Sequence, residues 1–160
     1  MPCYYSDEDI KKKMKVAVRF LLKNDSFLLR ESVNERTISH KLAEYLQYQF
    51  PDWNVDCEYN RKGLEIKELE NIKECDGHRK SDRIYPDIIV HIRNTDFNLL
   101  VVELKKKGLN SKCDRKKIEL FTESNGKYKY SLGLFLRFSR TCKPKLEWFK
   151  DGKPVLGTSD

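Results

Sequence analysis

Two apolar runs, DIIVHI (87–92) and NLLVVEL (98–104), stand on either side of a short polar break, Arg93-Asn94-Thr95-Asp96-Phe97. No other feature constrains the fold as much, because runs so close together close most simply as an antiparallel hairpin. A turn centred on Thr95 pairs positions whose numbers sum to 190, which sets residue 87 opposite residue 103. Pro86, Ile88, Val90 and Ile92 then meet Asn98, Leu100, Val102 and Leu104 on one face. Asp87, Ile89 and His91 meet Leu99, Val101, Glu103 and Lys105 on the other, with the charges gathered at one end.

Cross-strand partners have Cβ atoms about 4.5–5.5 Å apart, close enough for two carboxylates to hold one cation. Without that cation, two buried acids repel and one is driven to protonate. A hard divalent ion, Mg²⁺ or Mn²⁺, suits a pair of carboxylates completed by a backbone carbonyl and waters. Bound there it would lower the pKa of a water and neutralise a phosphate under attack. Lys105 would orient or help deprotonate that water and offset developing charge. An isolated E-x-K is usually a plain salt bridge. Here the register and the preceding Pro86-Asp87 favour a site.

The rest of the chain supplies a setting for this hairpin. Ile10, Met14, Ala17, Val18, Leu21 and Leu22 recur at helical spacing in 7–23, with Ser6 as the candidate cap. A second helix is predicted over 34–50, with Ile38, Leu42, Tyr45, Leu46 and Gln49 as its stripe, Glu35 on the same side and Pro51 as its stop. WNVDCEYN (53–60) alternates as a strand, with Val55, Cys57 and Tyr59 on one side and Asp56, Glu58 and Asn60 on the other. A long connection, 61–84, precedes the hairpin. A helix over 111–124, a buried strand over 128–138 and a terminal hairpin turning at Asp151-Gly152 complete the order. The 160 residues fit one domain, 1–160, with a central sheet flanked by helices.

Composition narrows the class. A net charge of +7 favours polyanionic partners without specifying them. No apolar run approaches the roughly 20 residues of a membrane span, and 1–13 lack the layout of a signal peptide. The five cysteines are odd in number and scattered, which points to reduced thiols in a cytoplasm. Cys75 and His78 have metal-like spacing but no second pair to complete a zinc site.

Pro86-Asp87, then fifteen residues, then Glu103-Leu104-Lys105 resembles the signature of the PD-(D/E)XK nuclease superfamily, the restriction-endonuclease-like phosphodiesterases. The predicted α-β-β-β-α-β order over about 34–138 is similar to that fold's core, an αβββαβ arrangement on a mixed sheet. Here it carries an extra N-terminal helix and a C-terminal hairpin. The resemblance implies a Mg²⁺- or Mn²⁺-dependent nuclease acting on nucleic acid, DNA before RNA. It assigns metal binding to Asp87 and Glu103 with the Leu104 carbonyl, and water activation to Lys105. Many members add a glutamate from the helix before the first strand, the place of Glu35. Ser32-x-x-Glu35 reads equally well as a capping box. The Q-x-x-x-Y pattern of the RecB-like branch is absent from 111–124. The rival reading is a nuclease-fold module that binds nucleic acid or protein without cutting.

Lys106, Lys107, Lys112, Arg115 and Lys117 form a basic run beside the site and would contact phosphates without reading sequence. Lys117, early in its helix, is the one best placed to face the strand end. His91 is expected to be a hydrogen-bonded core residue, and His40 to be exposed. Glu58 is an auxiliary ligand candidate. Arg79, Lys80 and Arg83 would close over a substrate or remain solvated loop. Cutting both strands of a duplex would suit a symmetric homodimer.

Overall fold

Ser6 starts the first helix with a reciprocal cap: its Oγ accepts from the Asp9 N–H at 3.2 Å, and the Asp9 carboxylate accepts from the Ser6 N–H at 3.2 Å. In the computed structural model, which describes residues 3–31, 33–59, 61–62, 65–66, 85–106, 112–139 and 141–157, this helix is α1, Asp7–Asn24. A five-residue helix, α2 (Ser26–Arg30), follows where the periodicity gave no signal. Next come α3 (Glu35–Gln49), β1 (Asn54–Cys57), a short ribbon of β2 (Arg61–Lys62) and β3 (Glu65–Ile66), β4 (Ile88–His91) and β5 (Asn98–Lys106). The chain ends with α4 (Lys112–Thr122), β6 (Leu132–Phe138), β7 (Pro144–Lys150) and β8 (Lys153–Pro154).

Among the described residues the main sheet has six strands in the order β1-β4-β5-β6-β7-β8. Only β5–β6 is parallel, because α4 carries the chain back between them; the other pairs are antiparallel. The sheet is therefore mixed. Ile10, Met14, Leu21, Ile38, Leu42 and Leu46 from α1 and α3 pack on one face with Ile88, Val90, Leu100, Val102 and Leu134. Ile118 and Phe121 of α4 pack on the other with Ile89, Val101, Phe135 and Phe149. At Gly133 the side chains of α4 come so close that an added Cβ would press into Ile118 Cγ2 and lie 2.9 Å from Thr122 Cγ2. The Asp151-Gly152 turn joins β7 to β8 with both residues at positive φ, 51° and 76°, as a two-residue hairpin turn requires.

The hairpin has the predicted register: Ile88 pairs with Val102, Ile89 with Val101 and Val90 with Leu100. Past Val90 the register shifts, His91 pairs with Asn98, and Leu99 is the extra residue of a bulge. This corrects the assigned faces. Leu99 joins Leu100 in the core beneath α1 and α3, and Asn98 turns the other way to donate to the Tyr128 carbonyl at 2.7 Å. A second correction follows β1. Glu58 adopts φ 49°, so Tyr59 changes sides and packs on His91 with ring centroids 4.8 Å apart.

Cys3, Cys57 and Cys142 are free thiols, but Cys113 is disulfide-bonded, contrary to the expectation of reduced thiols throughout. Spacing along a chain does not report which sulfurs its folding brings together. Cys75, His78, Arg79, Lys80, Arg83 and Lys107 lie outside the described residues. Among the described residues, no helix is long and apolar enough to cross a membrane.

Candidate functional site

Asp87 ends the approach to β4, and the continuing register sets it beside Glu103 in β5. Its Oδ2 accepts the Leu104 N–H at 2.7 Å, which ties the acid to the strand that carries Glu103. Glu103 is 4% exposed, and its Oε1 has no hydrogen-bond partner among the described residues. A buried unsatisfied carboxylate oxygen costs about 1–3 kcal/mol or more, so the fold carries this residue at a loss.

The electrostatics agree. Burial pushes the Asp87 carboxyl up to about 6; the Leu104 N–H pulls it down in part, and Glu35 pushes it up again. Burial, and next the adjoining Asp87, pushes Glu103 well above the usual carboxylate range, while Lys117 and Lys105 offset some of this. Burial thus disfavours the ionised form of both acids, and Asp87 further disfavours that of Glu103, an arrangement that a cation would relieve.

Four charged groups surround the pair. Lys105 Nζ lies 3.4 Å from Asp114 Oδ2 and 4.0 Å from Glu35 Oε2. Burial lowers the Lys105 pKa, but Asp114 and then Glu35 outweigh it and raise the ammonium above its ordinary value. Lys117 Nζ lies 3.8 Å from Asp114 Oδ1, so one carboxylate links both lysines. Asp114 was not singled out from the sequence, where it is an acid inside a basic run. Its spacing from Lys117, one helical turn earlier, is the only sequence signal for it.

Glu35 is the first residue of α3, capped by Asn34, whose side chain accepts from the Arg36 N–H at 3.0 Å. It therefore does not stand at the third position that a capping box needs. Its Oε1 instead accepts the Lys106 N–H at 2.9 Å, which clamps the end of β5 to α3. Glu58 is half-exposed and paired with Arg36 at 2.7 Å. Arg36, Glu58, Ser39, Cys57 and Asp87 line a cavity of about 120 Å³, room for a few waters beside Asp87. Ser39 Oγ is buried without a partner among the described residues.

The basic run is less available than its composition promised. Lys106 Nζ donates to the Leu28 carbonyl at 3.2 Å and to that of Glu31. The Arg115 guanidinium is bound by both oxygens of Glu147, at 2.8–3.1 Å, and lies over the Phe135 ring. Lys112 is exposed at the start of α4. His91 is a core histidine as expected: it is 4% exposed, and its Nε2 shares a 2.8 Å hydrogen bond with Asp56 Oδ2. His40 is exposed and lies 3.1 Å from Glu44.

The fit of a metal rests on these groups. Among the described residues, no cluster of three or more histidine, cysteine, aspartate or glutamate side chains is arranged to hold one. What exists is a carboxylate pair with one unsatisfied oxygen. That donor set is too sparse for Zn²⁺ or Ca²⁺, but it fits Mg²⁺, which binds through one or two carboxylates plus waters and phosphate oxygens. No protein-family model matches the chain, and no curated protein matches it.

Proposed function

We propose that the chain is a metal-dependent nuclease of the PD-(D/E)XK type, hydrolysing phosphodiester bonds of nucleic acid, with DNA as the favoured substrate. The observation that carries this reading is the pairing of half-buried Asp87 with buried Glu103, with Glu103 Oε1 left unsatisfied and Lys105 on the same face. The order α3-β1-β4-β5-α4-β6, with β5 and β6 parallel, supports a restriction-endonuclease-like core.

Asp87 and Glu103 would hold Mg²⁺ or Mn²⁺, with the Leu104 carbonyl as a further oxygen donor. The bound ion supplies an acidified water and charge neutralisation at the phosphate. The chain's own groups do the rest. The Leu104 N–H fixes the Asp87 carboxylate, and burial keeps competing solvent from Glu103. Lys105, held as an ammonium by Asp114 and Glu35, offsets negative charge that grows on the phosphate oxygens. Its raised pKa suits that electrostatic role better than proton abstraction. Glu35 acts by bracing the end of β5.

A second reading, a nuclease-fold module that binds without cutting, is favoured by the absence of a three-ligand cluster among the described residues. A Mn²⁺ titration followed by electron paramagnetic resonance separates the two. The nuclease reading expects saturable binding at millimolar Mn²⁺ that Glu103→Ala abolishes. Binding that is absent from the wild type, or equal in the variant, supports the rival.

A further inference from the structure

Lys105 belongs to a second pattern. It stands opposite Arg137 in the β5–β6 pairing, and Arg137 stands opposite Lys145 in the β6–β7 pairing. The three cations form one row across three adjacent strands. Two residues back, the corresponding row is Glu103, Phe135 and Glu147, and Phe135 belongs to the core on the α4 side. The cationic row therefore shares the face of Glu103. Strands lie about 4.8 Å apart, so the backbones at 105 and 145 are separated by about 10 Å.

Like charges directly opposite one another destabilise a sheet unless something neutralises them. Lys105 has Asp114 and Glu35. Among the described residues, the Arg137 and Lys145 side chains have no hydrogen bond or ion pair. Glu147, one row back on β7, is already occupied by Arg115. Arg137 is half-buried and Lys145 exposed, so both charges face solvent rather than the core.

We propose that Arg137 and Lys145 bind the phosphate backbone of a DNA strand and lead it along the row to Lys105 and Glu103. A row of cations across strands matches a chain of phosphates, with Arg137 able to take a phosphate through two parallel N–H donors. Such contacts position the strand without reading its sequence. This assignment moves the backbone contacts away from Lys106, Arg115 and Lys117, whose charges are spent inside the protein. What happens to the strand at Lys105 rests on the nuclease reading; binding along the row does not.

The test is fluorescence anisotropy with a fluorescein-labelled duplex DNA of random sequence, in EDTA, over a series of salt concentrations. The double variant Arg137→Gln/Lys145→Gln is compared with Lys12→Gln/Arg19→Gln, which removes the same charge from exposed positions on α1. Each lost phosphate contact lowers the slope of log K against log salt by about 1, so the row variant is expected to lose about 2 and the α1 variant almost none. Lys145→Gln alone, at an exposed position, keeps the test valid if the double variant fails to fold. Equal slopes for the two double variants, or no change on Lys145→Gln, overturn the assignment. DNA cleavage by the wild type together with unaltered binding by the row variants would reject the row and leave the nuclease reading intact. Lost binding in the row variants, with no metal-dependent cleavage by the wild type, would reject the nuclease reading and leave the row.

Discussion

The Leu104 N–H donates to Asp87 Oδ2 at 2.7 Å, so the first acid of the pair is anchored by the residue that follows the second. This bond holds two carboxylates side by side in a place where neither ionises readily. The consequences reach stability, pH dependence and the proposed cleavage.

The metal-free protein is expected to lose stability as pH rises through Asp87. A carboxyl raised in the folded state stabilises fully below its unfolded value near 3.8, and that contribution is lost as pH passes about 6. The displacement corresponds to a cost on the order of 3 kcal/mol above pH 6. Asp87→Asn keeps an acceptor for Leu104 and removes the charge. Thermal melts in EDTA should show it more stable than the wild type at pH 8, with the difference gone at pH 4. Glu103 shifts in the same direction, so Glu103→Gln should also melt higher at pH 8.

Asp56 has the opposite sign. Burial raises its pKa, but hydrogen bonds from His91 and Arg93 outweigh that and hold it well below the usual carboxylate range. Its contribution is present above the unfolded value and lost as pH falls through the folded one, in the window below about pH 4. Asp56→Ala leaves buried His91 without its partner and should cost about 3 kcal/mol at pH 7 by urea denaturation.

Asp114 positions Lys105 and Lys117 without standing among the proposed ligands. Asp114→Asn should reduce cleavage by up to about 100-fold, the scale of a displaced catalytic group. It should also lower the Lys105 pKa and move the alkaline limb of the pH–rate profile to lower pH. A purely structural role would reduce the rate without moving that limb.

Gly133 lets α4 approach the sheet. Gly133→Ala forces the added methyl against Ile118 and Thr122 and should destabilise by about 1–3 kcal/mol. A chemical melt of the variant checks this.

The hairpin register was legible because alternation of apolar and polar residues fixes which positions can face one core. The bulge was not. Leu99 is as apolar as its neighbours, and only the Asn98 bond to Tyr128, a contact distant in sequence, discloses the shift. Tyr59 was misplaced for a related reason: a positive φ at Glu58 breaks the alternation at a residue that seldom adopts it. The acids and the lysine of the candidate site could be read from strand position. Asp114 could not, because its role depends on how α4 folds over β5. Nor does sequence show that Lys106 turns inward to the carbonyls of Leu28 and Glu31. A charge seen in sequence carries no record of its partner.

The most direct measurement is cleavage of duplex DNA by wild type and Glu103→Gln, with Mn²⁺ and again after full chelation. A metal-dependent site built on Glu103 predicts cleavage by the wild type only with Mn²⁺, and a loss of at least about 100-fold in the variant. Undiminished cleavage by Glu103→Gln, or cleavage that survives chelation, would contradict it.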